Sequence, residues 1–179
     1  MTKLEQLLSQ YAAYHLDHKN ILTHFVGIPL IVFAIVCLTA RAGLMLSGIE
    51  LTLALVIIVV TSIYYFSLDR IFALIMLIVL MAAYPLALKI AHLELAAWLS
   101  LSIGIFVVGR AFQFVGHFFE KKKPAFMDDI IGLAIGPLFV LAEMVFMLGF
   151  RKDLEQRVLD HARVLRAEMD NKHISATLH

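Results

Sequence analysis

Cysteine is almost absent: Cys37 is the only one in 179 residues, so neither a disulfide framework nor an all-sulfur metal site can be built. Charge is scarce too. Only 16% of residues are charged and the net charge is +1, which leaves no basic face for nucleic acid and no acidic tail. The glycine motifs that cradle phosphates, G-x-G-x-x-G and G-K-[ST], do not occur. The chain is instead apolar, with 61% hydrophobic residues and a mean hydropathy of +0.88. A soluble domain is about half apolar and a quarter charged, and a disordered chain is poorer still in hydrophobic residues. The composition therefore points to a small all-α membrane protein, one domain over 1–179, with membrane lipid and no nucleic acid as partner.

A helix that crosses the hydrocarbon core needs about 20 mostly apolar residues. Four runs approach that length, 25–40, 51–66, 71–88 and 95–116, the first two needing their flanks to complete the crossing. A polar stretch with Lys3, Glu5, Asp17 and Lys19 precedes the first run, so no cleavable signal pattern is met and this run is expected to stay as an anchor. Pro29 is expected in its first turn. A fifth stretch, 126–150, opens with Asp128 and Asp129, carries Gly136-Pro137 at its middle and holds Glu143. Proline bends or breaks a helix, and basic residues flank the stretch on both sides, Lys121-Lys122-Lys123 before it and Arg151 and Lys152 after it. The positive-inside rule puts both flanks on the cytoplasmic side, which suits a broken or re-entrant helical hairpin and not a fifth crossing.

The expected fold is thus a polytopic membrane helix bundle over 25–150, with four spans plus the hairpin. An amphipathic N-terminal helix and its connection occupy 1–24, and a cytoplasmic surface helix occupies 151–179, fraying after Asn171. Both termini are expected in the cytoplasm, because Lys3, Lys19, Arg70 and the lysine triplet then lie inside and only Arg41 and Lys89 outside.

In so apolar a chain the informative residues are the polar ones on apolar faces, since ionisable groups at membrane depth are costly. Leu4, Leu7, Leu8 and Tyr11 recur at helical spacing, and extending that stripe at about 100° per residue brings in His15 and His18. Asn20 falls in the connection that follows, and His24 just before the first span. The fourth span ends in a second polar stripe, Arg110, Gln113, His117 and Glu120, on one helix face, with Gly116 leaving room beside His117. One reading makes these interfacial histidines bonded to the backbone, with Arg110 snorkelling toward a headgroup. The other is a metal site. The first span starts and the fourth ends at the cytoplasmic boundary, so His15, His24 and His117 can converge there with a carboxylate from Glu120 or Glu143. Imidazole suits iron, zinc and copper, and two histidines with one carboxylate suit non-haem Fe(II) and dioxygen. His92 fails the test: along an unbroken helix it lies about 37 Å from His117, and it is assigned to an outer loop with Lys89 and Glu94. His161, His173 and His179 are expected to be solvated, and Cys37 to be a small apolar residue of the first span.

Two motifs carry a resemblance. Tyr14-His15-x-x-x-x-Asn20-x-x-x-His24 followed by Gly27-Ile28-Pro29 is similar to the N-terminal motif of the Mpo1-like membrane proteins. Gln113-Phe114-Val115-Gly116-His117, then Glu120-Lys121 and Pro124-Ala125, resembles the second block of that family, and Gly136-Pro137, Glu143 and Gly149 continue the likeness. The resemblance implies an Fe(II)-dependent dioxygenase that shortens 2-hydroxy fatty acids by one carbon, with dioxygen as co-substrate. By position it implies functional roles for His15, His24 and His117, with Asn20, Gln113 and Glu120 around them. His18 stands where the family more often has proline or a basic residue, and Arg110 where it commonly has tryptophan, so neither receives a role.

Two other classes remain open from the sequence. A dimetal membrane fatty-acyl hydroxylase or desaturase needs more clustered histidine boxes than this chain has. A non-enzymatic metal carrier should place its ligands near the membrane midplane, whereas these histidines gather at one face; a lipid-binding scaffold would tolerate their loss. The membrane is expected to be a bacterial inner membrane, or that of the endoplasmic reticulum if the source is eukaryotic. Substrate chain length, free acid against thioester, and homo-oligomer formation stay open.

Overall fold

The computed structural model describes residues 1–46, 49–120 and 130–177. The lysine triplet, Pro124, Ala125, Asp128, Asp129 and His179 lie outside the described residues. The elements run α1 (Lys3–Ala12), α2 (His18–Ala40), β1 (Gly43–Leu46), β2 (Ile49–Thr52), α3 (Leu53–Leu68), α4 (Arg70–Ala91), α5 (Leu95–Glu120), α6 (Ile130–Met147) and α7 (Lys152–Thr177). The all-α expectation holds apart from one short hairpin. The chain divides into two compact units, Met1–Leu22 with Gly116–His179, and Thr23–Val115.

In the first unit α1 opens with a capping box. The Thr2 hydroxyl accepts from the Glu5 N–H, and the Glu5 carboxylate accepts from the Thr2 N–H. Leu4, Leu8, Tyr11 and Ala12 form its buried face, which packs on α6 and α7. Opposite it α7 buries Leu154, Val158 and Ala162, and α6 buries Ile135, Leu138, Phe139, Ala142 and Phe146. The predicted break at Gly136-Pro137 does not occur, because α6 runs unbroken from Ile130 to Met147. A helix-interior proline costs about 3 kcal/mol, while each buried Ile, Leu or Phe contributes about 1.5–3 kcal/mol. Ile135, Leu138 and Phe139 therefore outweigh the bond lost at Pro137. The last helix, α7, is assigned as far as Thr177.

The N-terminal stripe likewise stops earlier than its periodicity suggests. α1 ends at Ala12, and Asp17 caps a new helix by accepting from the N–H groups of Lys19 and Asn20. His18 opens α2 and is exposed, which corrects the expectation that it points with the leucines. Pro29 consequently lies in the interior of α2 and not in a first turn.

The second unit contains most of α2 and α5 together with the hairpin, α3 and α4. Strands β1 and β2 pair antiparallel with Leu44 opposite Leu51. The apolar run predicts helix from Leu51; Leu51 and Thr52 instead belong to β2, and Thr52 caps α3, its hydroxyl accepting from the Leu55 N–H. Arg41 closes the far end of α4 by donating to the carbonyls of Ala91 and Leu93, and its guanidinium lies 4.8 Å from the Trp98 ring. Gly27 and Gly109 meet where α2 crosses α5: a Cβ on Gly27 would stand 2.8 Å from the Gly109 carbonyl oxygen.

Among the described residues three helices are long and apolar enough to cross a membrane, His18–Ala40, Arg70–Ala91 and Leu95–Glu120. They coincide with the first, third and fourth expected spans. The second is α3, whose 16 residues extend about 24 Å, short of a core about 30 Å thick.

Candidate metal centre

His15 follows α1 by one turn of chain, and α1 holds it twice. Its Nδ1 lies 2.7 Å from the Tyr11 carbonyl oxygen, an acceptor only, so Nδ1–H donates and the lone pair sits on Nε2. The Tyr11 ring stacks on the imidazole at 4.3 Å between centroids and 7° between planes. Burial pushes the Tyr11 phenol above its ordinary range, keeping it protonated. Phe139 of α6 closes another side, 5.9 Å from the His15 ring.

His117, in the last turn of α5, comes to His15 with 5.1 Å between ring centroids, and ring nitrogens of the two lie within 4.8 Å of each other. Both residues are buried. Two imidazoles at this spacing, one with its tautomer set by a carbonyl, are a suitable donor pair for a divalent transition metal.

Glu120, three residues after His117, has both carboxylate oxygens engaged. Oε2 accepts from the Asp17 N–H at 2.8 Å and from the Asn20 side-chain amide at 3.1 Å, while Oε1 accepts from Arg166 at 2.7 Å. It thereby joins the connection carrying His15, the first turn of α2 and α7. The same Arg166 nitrogen donates to the Ala13 carbonyl at 2.8 Å. Sequence reasoning missed Arg166 and Tyr11. Leu154, Val158 and Ala162 recur every fourth residue and Arg166 continues the series, so an arginine in line with a buried stripe was the available signal.

His24 and Gln113 belong to the second unit and are buried. His24 follows Asn20 by one turn of α2, and Gln113 precedes His117 by one turn of α5. The Gln113 side-chain oxygen accepts from Arg110 at 3.1 Å, and the Arg110 guanidinium lies 5.1 Å from the Phe114 ring. Glu143 is half-buried on α6. Among the described residues no carboxylate joins the histidines as a ligand-capable group. His92 is exposed, 3.3 Å from Glu50.

Comparison with known proteins places the chain in a family. A family profile described as "2-hydroxy-palmitic acid dioxygenase Mpo1-like" matches residues 1–148. The chain is 34% identical over 160 residues, 88% of each protein, to the protein of Saccharomyces cerevisiae named "2-hydroxy-palmitic acid dioxygenase MPO1". No solved structure matches. With two buried imidazoles facing each other at the end of an apolar helix, and with these likenesses along most of its length, the chain belongs to the Mpo1-like family.

Proposed function

We propose that this protein is a membrane-embedded, Fe(II)-dependent dioxygenase of 2-hydroxy fatty acids, with His15, His24 and His117 as the metal ligands. The observation that carries the reading is the buried His15–His117 pair, whose ring nitrogens lie within 4.8 Å of each other. His24 joins them through helix continuity: Asn20 is hydrogen-bonded to Glu120, His24 follows Asn20 by one turn and His117 precedes Glu120 by one turn. The yeast relative's name supplies the substrate class.

When bound, Fe(II) supplies a redox-active Lewis-acid centre with coordination positions left open beyond three imidazoles. The chain's own residues prepare that site. The Tyr11 carbonyl fixes the His15 tautomer, and the burial of all three histidines excludes bulk water. Glu120 organises the backbone around the site, since its oxygens are taken by Asp17, Asn20 and Arg166. Glu143 receives no role at the metal in this reading. Atoms and electrons balance without an added reductant, because one 2-hydroxy acid and one dioxygen give the acid one carbon shorter, carbon dioxide and water. Apolar surface along the helices accommodates the alkyl tail, each buried CH₂ contributing about 0.8 kcal/mol.

The test is anaerobic purification in detergent, metal analysis, and oxygen uptake with 2-hydroxy against unsubstituted fatty acids. One iron per chain and uptake only with the 2-hydroxy series are expected. An iron-loaded preparation that consumes no dioxygen with any 2-hydroxy acid overturns the reading.

A further inference from the structure

Helix α7 lies beyond the residues that the family profile matches, 1–148, yet it reaches the candidate centre through one side chain. Arg166 is 19% exposed. One of its terminal nitrogens donates both to the Glu120 carboxylate at 2.7 Å and to the Ala13 carbonyl at 2.8 Å, and the other lies 3.4 Å from the Glu120 carbonyl. A buried carboxylate left without a countercharge is strongly disfavoured, and Glu120 is the acceptor for the N–H of Asp17, two residues after His15. Ala13, two residues before His15, is held by the same guanidinium. The connection carrying His15 is therefore fastened on both sides by groups that Arg166 organises, while His117 sits one turn before Glu120 on α5.

We infer that Arg166 is a positioning residue for the metal centre, and that α7 works as a clasp holding His15 opposite His117. This rests on the functional reading above. Arginine suits the task because its planar fork serves a carboxylate and a carbonyl in fixed directions, which a lysine ammonium does not reproduce. The ion pair that joins α7 to α1 separates positioning from mere helix docking. Arg157 donates to Glu5 at 2.8 Å, far along α1 from His15, and touches neither Glu120 nor the connection.

The test uses the full chain in detergent with Fe(II) alone as the probe, measured anaerobically by chelator competition, together with amide hydrogen exchange. Arg166→Met is expected to weaken Fe(II) binding by about 10–100-fold, the usual size of an outer-shell loss, and to raise exchange at the Asp17 amide. Arg166→Lys should fall between parent and Arg166→Met, and it decides the matter if Arg166→Met does not fold. Arg157→Met should lower the melting temperature and leave Fe(II) affinity within about twofold of the parent. Unchanged affinity and Asp17 exchange in the Arg166 variants, beside a parent that binds Fe(II), defeat the inference alone. A loss of affinity in Arg157→Met equal to that in Arg166→Met also defeats it, since docking of α7 would then suffice. A parent that binds no Fe(II) defeats the functional reading and the inference with it.

Discussion

Tyr11 and His15 are joined through both main chain and side chain: the carbonyl of Tyr11 accepts a hydrogen bond from the His15 Nδ1–H at 2.7 Å, and the Tyr11 ring lies flat on the imidazole at 4.3 Å. These contacts set the tautomer and the plane of the ring independently. The carbonyl survives any substitution at position 11, whereas the stack does not. Tyr11→Phe keeps the ring and should bind Fe(II) within about twofold of the parent. Tyr11→Ala should lose about 3–5 kcal/mol of stability through the cavity it opens and should weaken Fe(II) binding by about tenfold or more. Denaturation curves and chelator competition on the same preparations check both outcomes.

Burial separates the histidines of the two motifs from His18 and His92. His15, His24 and His117 are buried, while His18 and His92 are exposed. His117→Ala should lose both bound iron and turnover, by more than the 10–100-fold typical of outer-shell changes. His18→Ala and His92→Ala should retain one iron per chain and parental oxygen uptake. Equal losses in all three variants would contradict a centre built on the buried set.

The residues of the candidate centre are legible in the sequence because they sit in short local patterns. His117 and Glu120 lie one turn apart on an uninterrupted helix, where periodicity is reliable. His18 was misplaced because the same periodicity was carried past Ala12, where α1 stops, into a helix with its own phase set by Asp17. Arg166 is marked in the sequence only by its place in line with Leu154, Val158 and Ala162, which does not name its partner. Glu120 is 46 positions away in the chain, and a mixed-sign tail offers no spacing rule for so distant a contact. The hairpin of Gly43–Leu46 and Ile49–Thr52 was hidden by composition, since Leu51 extends the apolar run of α3 without a break. Pro137 misled in the opposite direction, because propensity suggested a break that core burial overrides.

A pH effect on stability is expected at the start of α1. The Thr2 N–H and the Arg157 guanidinium hold the Glu5 carboxyl below its ordinary value of 4.5. A group whose folded pKa is depressed contributes stability that is present above the unfolded value and lost as pH falls through the folded one. The melting temperature of the parent should therefore exceed that of Glu5→Gln at pH 7, and the gap should close below pH 4.5. A gap that widens on acidification would reverse the sign and contradict the pairing.

The helix crossing in the second unit gives a test independent of any metal. A Cβ on Gly27 would stand 2.8 Å from the Gly109 carbonyl oxygen, and one on Gly109 would stand 2.8 Å from the Gly27 carbonyl oxygen. Both obstacles are backbone, so neither can swing aside as a flexible side chain would, and overpacking of this kind costs about 1–3 kcal/mol. Alanine also gains about 0.5–1 kcal/mol over glycine in a helix interior, which offsets only part of that. Gly104 on the same α5 has nothing within 4 Å of its would-be Cβ, so there the propensity gain stands alone. Gly27→Ala and Gly109→Ala should thus melt below the parent and Gly104→Ala at or above it, in the same detergent. If all three shift together, propensity or detergent governs them, and the close approach of α2 and α5 at Gly27 and Gly109 is wrong.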